Sequence, residues 1–125
     1  MTINELCQTS HLIAKEKGFW DFERNTGELL MLIVSELGEA LEADRKNLHA
    51  DLATFEFSFQ NSDYSDEGYV SNFKDYIKDT FEDEIADAFI RLGDLCAGLD
   101  IDIEKHIRLK MDFNRTREKM HGKLY

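Results

Sequence analysis

Residues 29–41 read LLMLIVSELGEAL, and this stretch decides the fold class. Its apolar residues recur at three- and four-residue spacing, the period of an α-helix rather than the alternation of a strand. Projected at roughly 100° per residue from Leu29, Glu36 falls inside the apolar arc with Leu32 and Ala40, and Glu39 falls at its edge. A carboxylate at a core position costs several kcal/mol unless it is paired or bound to a metal. One helix therefore carries both core and chemistry.

Working outward, Asn25 with Glu28 forms a capping-box pattern that opens this helix, which the periodicity extends to about Asn47. Thr2 with Glu5 opens an earlier helix over about residues 3–17, stopped by Gly18. Downstream, Phe81, Ile85, Ala88, Leu92 and Leu95 mark a third helix from about Asn72 or Thr80 to Ala97, with Gly98 as its stop. Asp100 or Asp102 caps a fourth, running to about Met120. Residues 48–72 are less regular. Asn61, Ser62, Asp63, Ser65, Asp66 and Gly68 make a turn-prone cluster beside the alternating Phe55, Phe57 and Phe59, and a lone strand has no partner there. A loop or short helix is expected. The chain has no proline, which favours long helices. The expectation is an all-α fold over residues 1–125 as a single domain: an antiparallel bundle of four main helices, with a 30-residue insertion between helices two and three.

The formal charge of -11 argues against non-specific nucleic-acid binding. It is unevenly spread: from Lys105 onward seven Lys/Arg face two acids, a local +5 that leaves residues 1–104 at -16. Such a division suits cations on one side and anionic phosphate on the other, or a biased solvated surface. Cys7 and Cys96 sit among apolar neighbours outside any metal-binding spacing, and read as small hydrophobes in a reducing compartment. Residues 1–8 are polar and unlike a signal peptide, and the longest apolar run is far below membrane-spanning length. A cytoplasmic location with no membrane partner is the expectation.

Two strings carry the candidate chemistry: Glu36-Leu-Gly-Glu39 and Glu84-Ile-Ala-Asp87. Residues three apart share a helix face, so each string aims two carboxylates one way. Four carboxylates converging from facing helices would make an all-oxygen site suited to Mg²⁺ or Mn²⁺ rather than zinc. Simpler explanations stand beside this. Asp87 lies four before Arg91, the spacing of a surface ion pair, and Glu36 could be held by a structural salt bridge. The two-fold Glu-x-x-His set of a di-iron bundle is missing, since only Glu118-x-x-His121 occurs.

These strings resemble the MazG-like, all-α nucleoside triphosphate pyrophosphohydrolases, whose hallmark is Glu-x-x-Glu on one helix and Glu-x-x-Asp on the next. Glu36, Glu39, Glu84 and Asp87 match in order. Lys110, Asn114 and Arg117 followed by His121-Gly122-Lys123, and Lys17-Gly-Phe-Trp20 before helix two, are similar to the family as well. The resemblance implies magnesium-dependent cleavage of a nucleoside triphosphate at the α–β bond, giving a monophosphate and pyrophosphate, in nucleotide-pool housecleaning. It implies metal ligation by the four acids, with Glu36 or Glu39 as the base. It gives Lys110, Asn114 and Arg117, spaced as one helical stripe, to phosphate, and His11 and Trp20 to the nucleotide base. It also implies a homodimer or homotetramer, in line with the apolar Leu30, Val34, Leu37, Leu41, Phe89 and Ile90. The chain departs from the family at Ser35, where many members have a further acid, in the long separation of the two strings, and around Arg45 and Lys46, where a second aromatic is missing. A non-catalytic acidic helical module of nucleotide metabolism is the alternative.

Overall fold

The computed structural model describes residues 1–61 and 65–122, and the side chains of residues 1–58 and 65–120. Among the described residues there are six α-helices and no strand. They are α1 (Ile3–Glu16), α2 (Thr26–Arg45), α3 (Leu52–Asn61), α4 (Asp66–Tyr76), α5 (Phe81–Gly98) and α6 (Ile103–Arg115), followed by a 3-10 turn at Lys119–Gly122.

Every helix begins at a short polar residue that accepts from the backbone of its first turn. Thr2 takes Glu5 N–H in a full capping box, Asn25 takes Glu28, Ser65 takes Gly68 and Asp102 takes Lys105. Asp51 takes Thr54, and Thr80 takes Asp83. Each such bond satisfies an N–H that the helix itself leaves orphaned. The ends are equally regular. After α1, Gly18 sits at φ 85° while Gly18 N–H and Phe19 N–H return to Lys15 and Ala14. The same paired bonds close α2 around Asn47 (φ 55°) and α5 around Asp100 (φ 55°), the pattern of a Schellman cap without its usual glycine.

Several expectations change here. Residues 48–72, expected as a loop or one short helix, hold all of α3 and the first part of α4. Part of the polar cluster assigned there, Ser62 and Asp63, lies outside the described residues, as do the side chain of His121 and all of Lys123. Helix α5 ends at Gly98, one residue past the expected Ala97. The left-handed turn that closes it falls two residues later, at Asp100 rather than at the glycine. Finally, α6 ends at Arg115 rather than near Met120, with Thr116 Oγ1 turned back to Phe113 O, so Arg117 stands just beyond the helix.

The chain divides into two compact units. One comprises Met1–Glu23 with Leu92–Tyr125. Here α1 packs on α6, and the small residues of α1 and the end of α5 lie close: a Cβ at Gly93 would come 3.4 Å from the Cys7 backbone. Cys7, Ser10, Leu95 and Cys96 are buried. Both cysteines are free, and burial pushes both thiols up, as for inert small hydrophobes.

The other unit is Arg24–Arg91. Within it α3 packs on α4, where Phe55 meets Tyr69 edge to face with ring centroids 5.6 Å apart, and Tyr69 stacks along α4 on Phe73 at 6.2 Å. Its buried residues are small or charged: Ala40, Ala43, Thr80 and Ala88, with Glu36 and Glu84. Large apolar side chains point outward instead. Leu30, Val34, Leu37 and Leu41, one stripe of α2, and Phe89 and Ile90 of α5 are each 45% or more exposed. No helix among the described residues is long and apolar enough to cross a membrane.

Candidate functional site

The carboxylates singled out in the sequence lie in the second unit. Thr80 caps α5 and sets the phase of Glu84 one turn into the helix, while Asn25 starts the α2 register that carries Glu36 and Glu39. One oxygen each of Glu36, Glu39 and Glu84 lies within 4.8 Å of the others. Glu36 and Glu84 are buried at 7% and 6% exposure, and Glu39 is exposed. Three acids this close, two of them out of water, repel one another strongly.

The effect on Glu84 is large. Burial, a hydrogen bond with the Glu39 carboxyl and the charges of Glu39, Asp87 and Glu36 push its pKa from 4.5 to about 7. Asp87 lies outside the group of three but belongs to the same field. Burial, then the charges of Asp83 and Glu36, raise its carboxyl, with Arg91 opposing.

Arg91 itself departs from expectation. It donates from Nε to the Glu36 carboxylate, 55 residues away in sequence, a partner that the four-residue spacing from Asp87 did not point to. Sequence reasoning also missed a second acidic group, in which Asp79, Asp83 and Glu84 approach within 4.8 Å. The Asp79 N–H donates to Asp83. The signal available was the run of acids in the first turn of α5, where the helix dipole favours negative charge.

The remaining candidates lie in the first unit. Lys110 is exposed, while Asn114 and Arg117 are half-buried. Lys110 Nζ and the Arg117 guanidinium lie 5.0 and 5.6 Å from the Phe113 ring centre, so the pair persists although α6 has ended. Asn114 Oδ1 is buried without a hydrogen-bond partner among the described residues. His11 and Trp20 meet edge to face, 4.9 Å between centroids. Both reach one residue that sequence reasoning did not select. His11 Nδ1 and Trp20 Nε1 each lie 2.8 Å from the same atom, Asp94 Oδ1. The Trp20 ring also fills a notch over Gly98, where an added Cβ would come 2.4 Å from its Cη2. The legible signal was Gly98 four residues after Asp94, a gap in the side-chain wall on one helix face.

Comparison with models of protein families, with curated proteins and with solved structures found no match for this chain.

Proposed function

We propose that the chain is a metal-dependent nucleoside triphosphate pyrophosphohydrolase of the MazG-like kind, acting at the α–β bond. The observation that carries this is the gathering of the Glu36, Glu39 and Glu84 oxygens within 4.8 Å, two of them buried. An all-oxygen, multiply anionic donor set suits a hard divalent cation, Mg²⁺ or Mn²⁺. Glu36, Glu39, Glu84 and Asp87 would hold it. Such an ion supplies charge neutralisation at the phosphates and a more acidic water.

The chain's own residues do the rest. Glu36 or Glu39 takes the proton from the attacking water. Lys110 and Arg117 neutralise the departing pyrophosphate, and Asn114 donates from its amide to a phosphate oxygen. His11 and Trp20 receive the base. The antiparallel four-helix arrangement belongs to the same proposal, with α1, α2, α5 and α6 as its members. So does assembly into a homodimer or homotetramer, supported by the exposed stripe of α2 together with Phe89 and Ile90.

A second proposal, a non-catalytic acidic module, has its own support. Glu36 is paired with Arg91 and Glu84 with Glu39, so the cluster is partly satisfied without a cation. Pyrophosphate release from a panel of nucleoside triphosphates, with and without Mg²⁺, separates the two. Release that requires Mg²⁺ supports the enzyme. No release from any triphosphate, with Mg²⁺ binding intact or absent, rejects it.

A further inference from the structure

We infer that Arg91 is a fixed cation within the carboxylate cluster, a positioning residue that limits this site to a single divalent ion. This role rests on reading Glu36, Glu39 and Glu84 as metal ligands. Arg91 Nε donates to Oε1 of Glu36, and the two side chains are only 32% and 9% exposed. A guanidinium cannot be deprotonated in a protein, and it is more weakly hydrated than an ammonium. The positive charge beside Glu36 is therefore permanent. Being partly withdrawn from water, it is also poorly screened by salt.

With Oε1 engaged, Oε2 is the Glu36 oxygen better placed to serve an ion. That oxygen with Glu39 and Glu84 suffices for one Mg²⁺, which keeps several of its waters. A second ion at Glu36 would crowd the guanidinium, and like charges repel strongly where solvent is partly excluded. The neighbouring group of Asp79, Asp83 and Glu84 is a poorer second seat, because its outer acids are already engaged. Lys78 Nζ donates to Asp79 at 2.8 Å, and the Asp79 N–H donates to Asp83 at 2.9 Å. Each acidic group thus carries its own basic side chain, and Arg91 is the one set among buried carboxylates.

The test counts ions and needs no turnover. Mn²⁺ is titrated into the metal-free protein at about pH 8, where ordinary carboxyls are ionised, and free ion is read by electron paramagnetic resonance. The parent should bind one ion per chain. Arg91→Gln presents an amide N–H the same number of bonds from the backbone but carries no charge, and it should bind two. Arg91→Lys restores a point charge with reach enough for Glu36, and the count should return to one. A merely structural Arg91 would lower the melting temperature of Arg91→Gln and leave the count unchanged.

Should Arg91→Gln fail to fold, the Arg91 Nε–H resonance of the parent decides, read through a Mg²⁺ titration. It should stay hydrogen-bonded to Glu36 as the ion binds. Two ions on the parent, one on a folded Arg91→Gln, two on Arg91→Lys, or release of the Nε–H by Mg²⁺ overturns the inference. So does a parent that binds no ion, which would also take the metal out of the proposed reaction. Pyrophosphate release is a separate measurement. Mg²⁺-dependent release with two ions on the parent would keep the enzyme and discard this role of Arg91. One ion on the parent and two on Arg91→Gln, with no release from any triphosphate, would do the reverse.

Discussion

Helix α5 carries two groups of buried or half-buried acids, and the protein treats them in opposite ways. At Glu84 a carboxyl faces other carboxyls, and its pKa climbs to about 7. At Asp94 a carboxylate faces two N–H donors at 2.8 Å. The second arrangement is satisfied by the chain itself. The first is satisfied only in part, by the Arg91 bond to Glu36 and by the hydrogen bond between Glu84 and Glu39. Stability alone gives no reason to gather like charges in a core, because well-packed apolar residues would serve as well or better. The crowded group is where a missing partner is to be sought, and the satisfied one is where geometry is held.

The largest expected effect falls on the crowded group. Glu84→Gln should lower pyrophosphate release by about a thousandfold or more, corresponding to roughly 4 kcal/mol. Without metal the same variant should melt no lower than the parent at pH 8, since it removes a carboxyl that is costly to ionise there. An active Glu84→Gln would erase the distinction between the two groups.

Next come Lys110→Ala and Arg117→Ala, each expected to cost 2–4 kcal/mol in the transition state, or roughly 30- to 1000-fold in rate. Stability should change by no more than about 0.5 kcal/mol for exposed Lys110, and by more for half-buried Arg117, which packs against the Phe113 ring. The metal-induced shift in melting temperature should survive in both. Parental turnover by both variants would remove phosphate binding from this stripe.

The pH dependence of the metal-free protein sharpens the contrast. The folded-state pKa of Glu84 is raised from 4.5 to about 7, so the folded chain retains a proton that the unfolded chain has released. The associated stability is complete below about pH 4.5 and is lost as pH rises through about 7, amounting to at most about 3 kcal/mol. Asp87 contributes in the same direction. Exposed Asp51 and Glu82 act oppositely. The Thr54 hydrogen bonds to Asp51 and the Ala50 N–H on Glu82 lower those carboxyls, and their contribution is lost as pH falls. Urea unfolding from pH 4.5 to 8 should therefore show a decline in the parent that Glu84→Gln flattens and Mg²⁺ abolishes. A parent curve that rises through this window would mean that the cluster does not hold its proton.

A smaller effect is expected at Arg91. Its side chain is 32% exposed, so replacing it with Met should cost about 1–2 kcal/mol, less than a fully buried ion pair. Mg²⁺ should restore part of that loss by taking over the neutralisation of Glu36. Equal destabilisation with and without Mg²⁺ would make the Arg91–Glu36 pair purely structural.

Much of this was legible in the sequence because it is local. Thr2, Asn25, Thr80 and Asp102 announce helices within three residues, and the apolar arc around Glu36 marks that carboxylate as buried. Asp51 and Ser65, the starts of α3 and α4, carry the same kind of signal, but the alternating phenylalanines and the turn-prone residues between the two helices obscured it. The Arg91 bond to Glu36 spans 55 residues, and no periodicity predicts it. Asp94 resembles a surface acid on α5 until Trp20 folds onto Gly98, and that tertiary event is what makes it a hub.

The helix ends also leave room for engineering. Asn47 and Asp100 stop α2 and α5 at φ 55°, where side chains with a Cβ are strained and glycine is not. Asn47→Gly should gain up to about 0.5 kcal/mol once the extra entropy of the unfolded glycine is discounted, as read in a chemical melt. Asp100→Gly should gain similarly while stripping a carboxylate from the cavity that Asp100 and His11 both line. Of the two termination points, Asn47 is therefore the one to alter when a hardier protein is wanted, and Asp100 the one to leave alone.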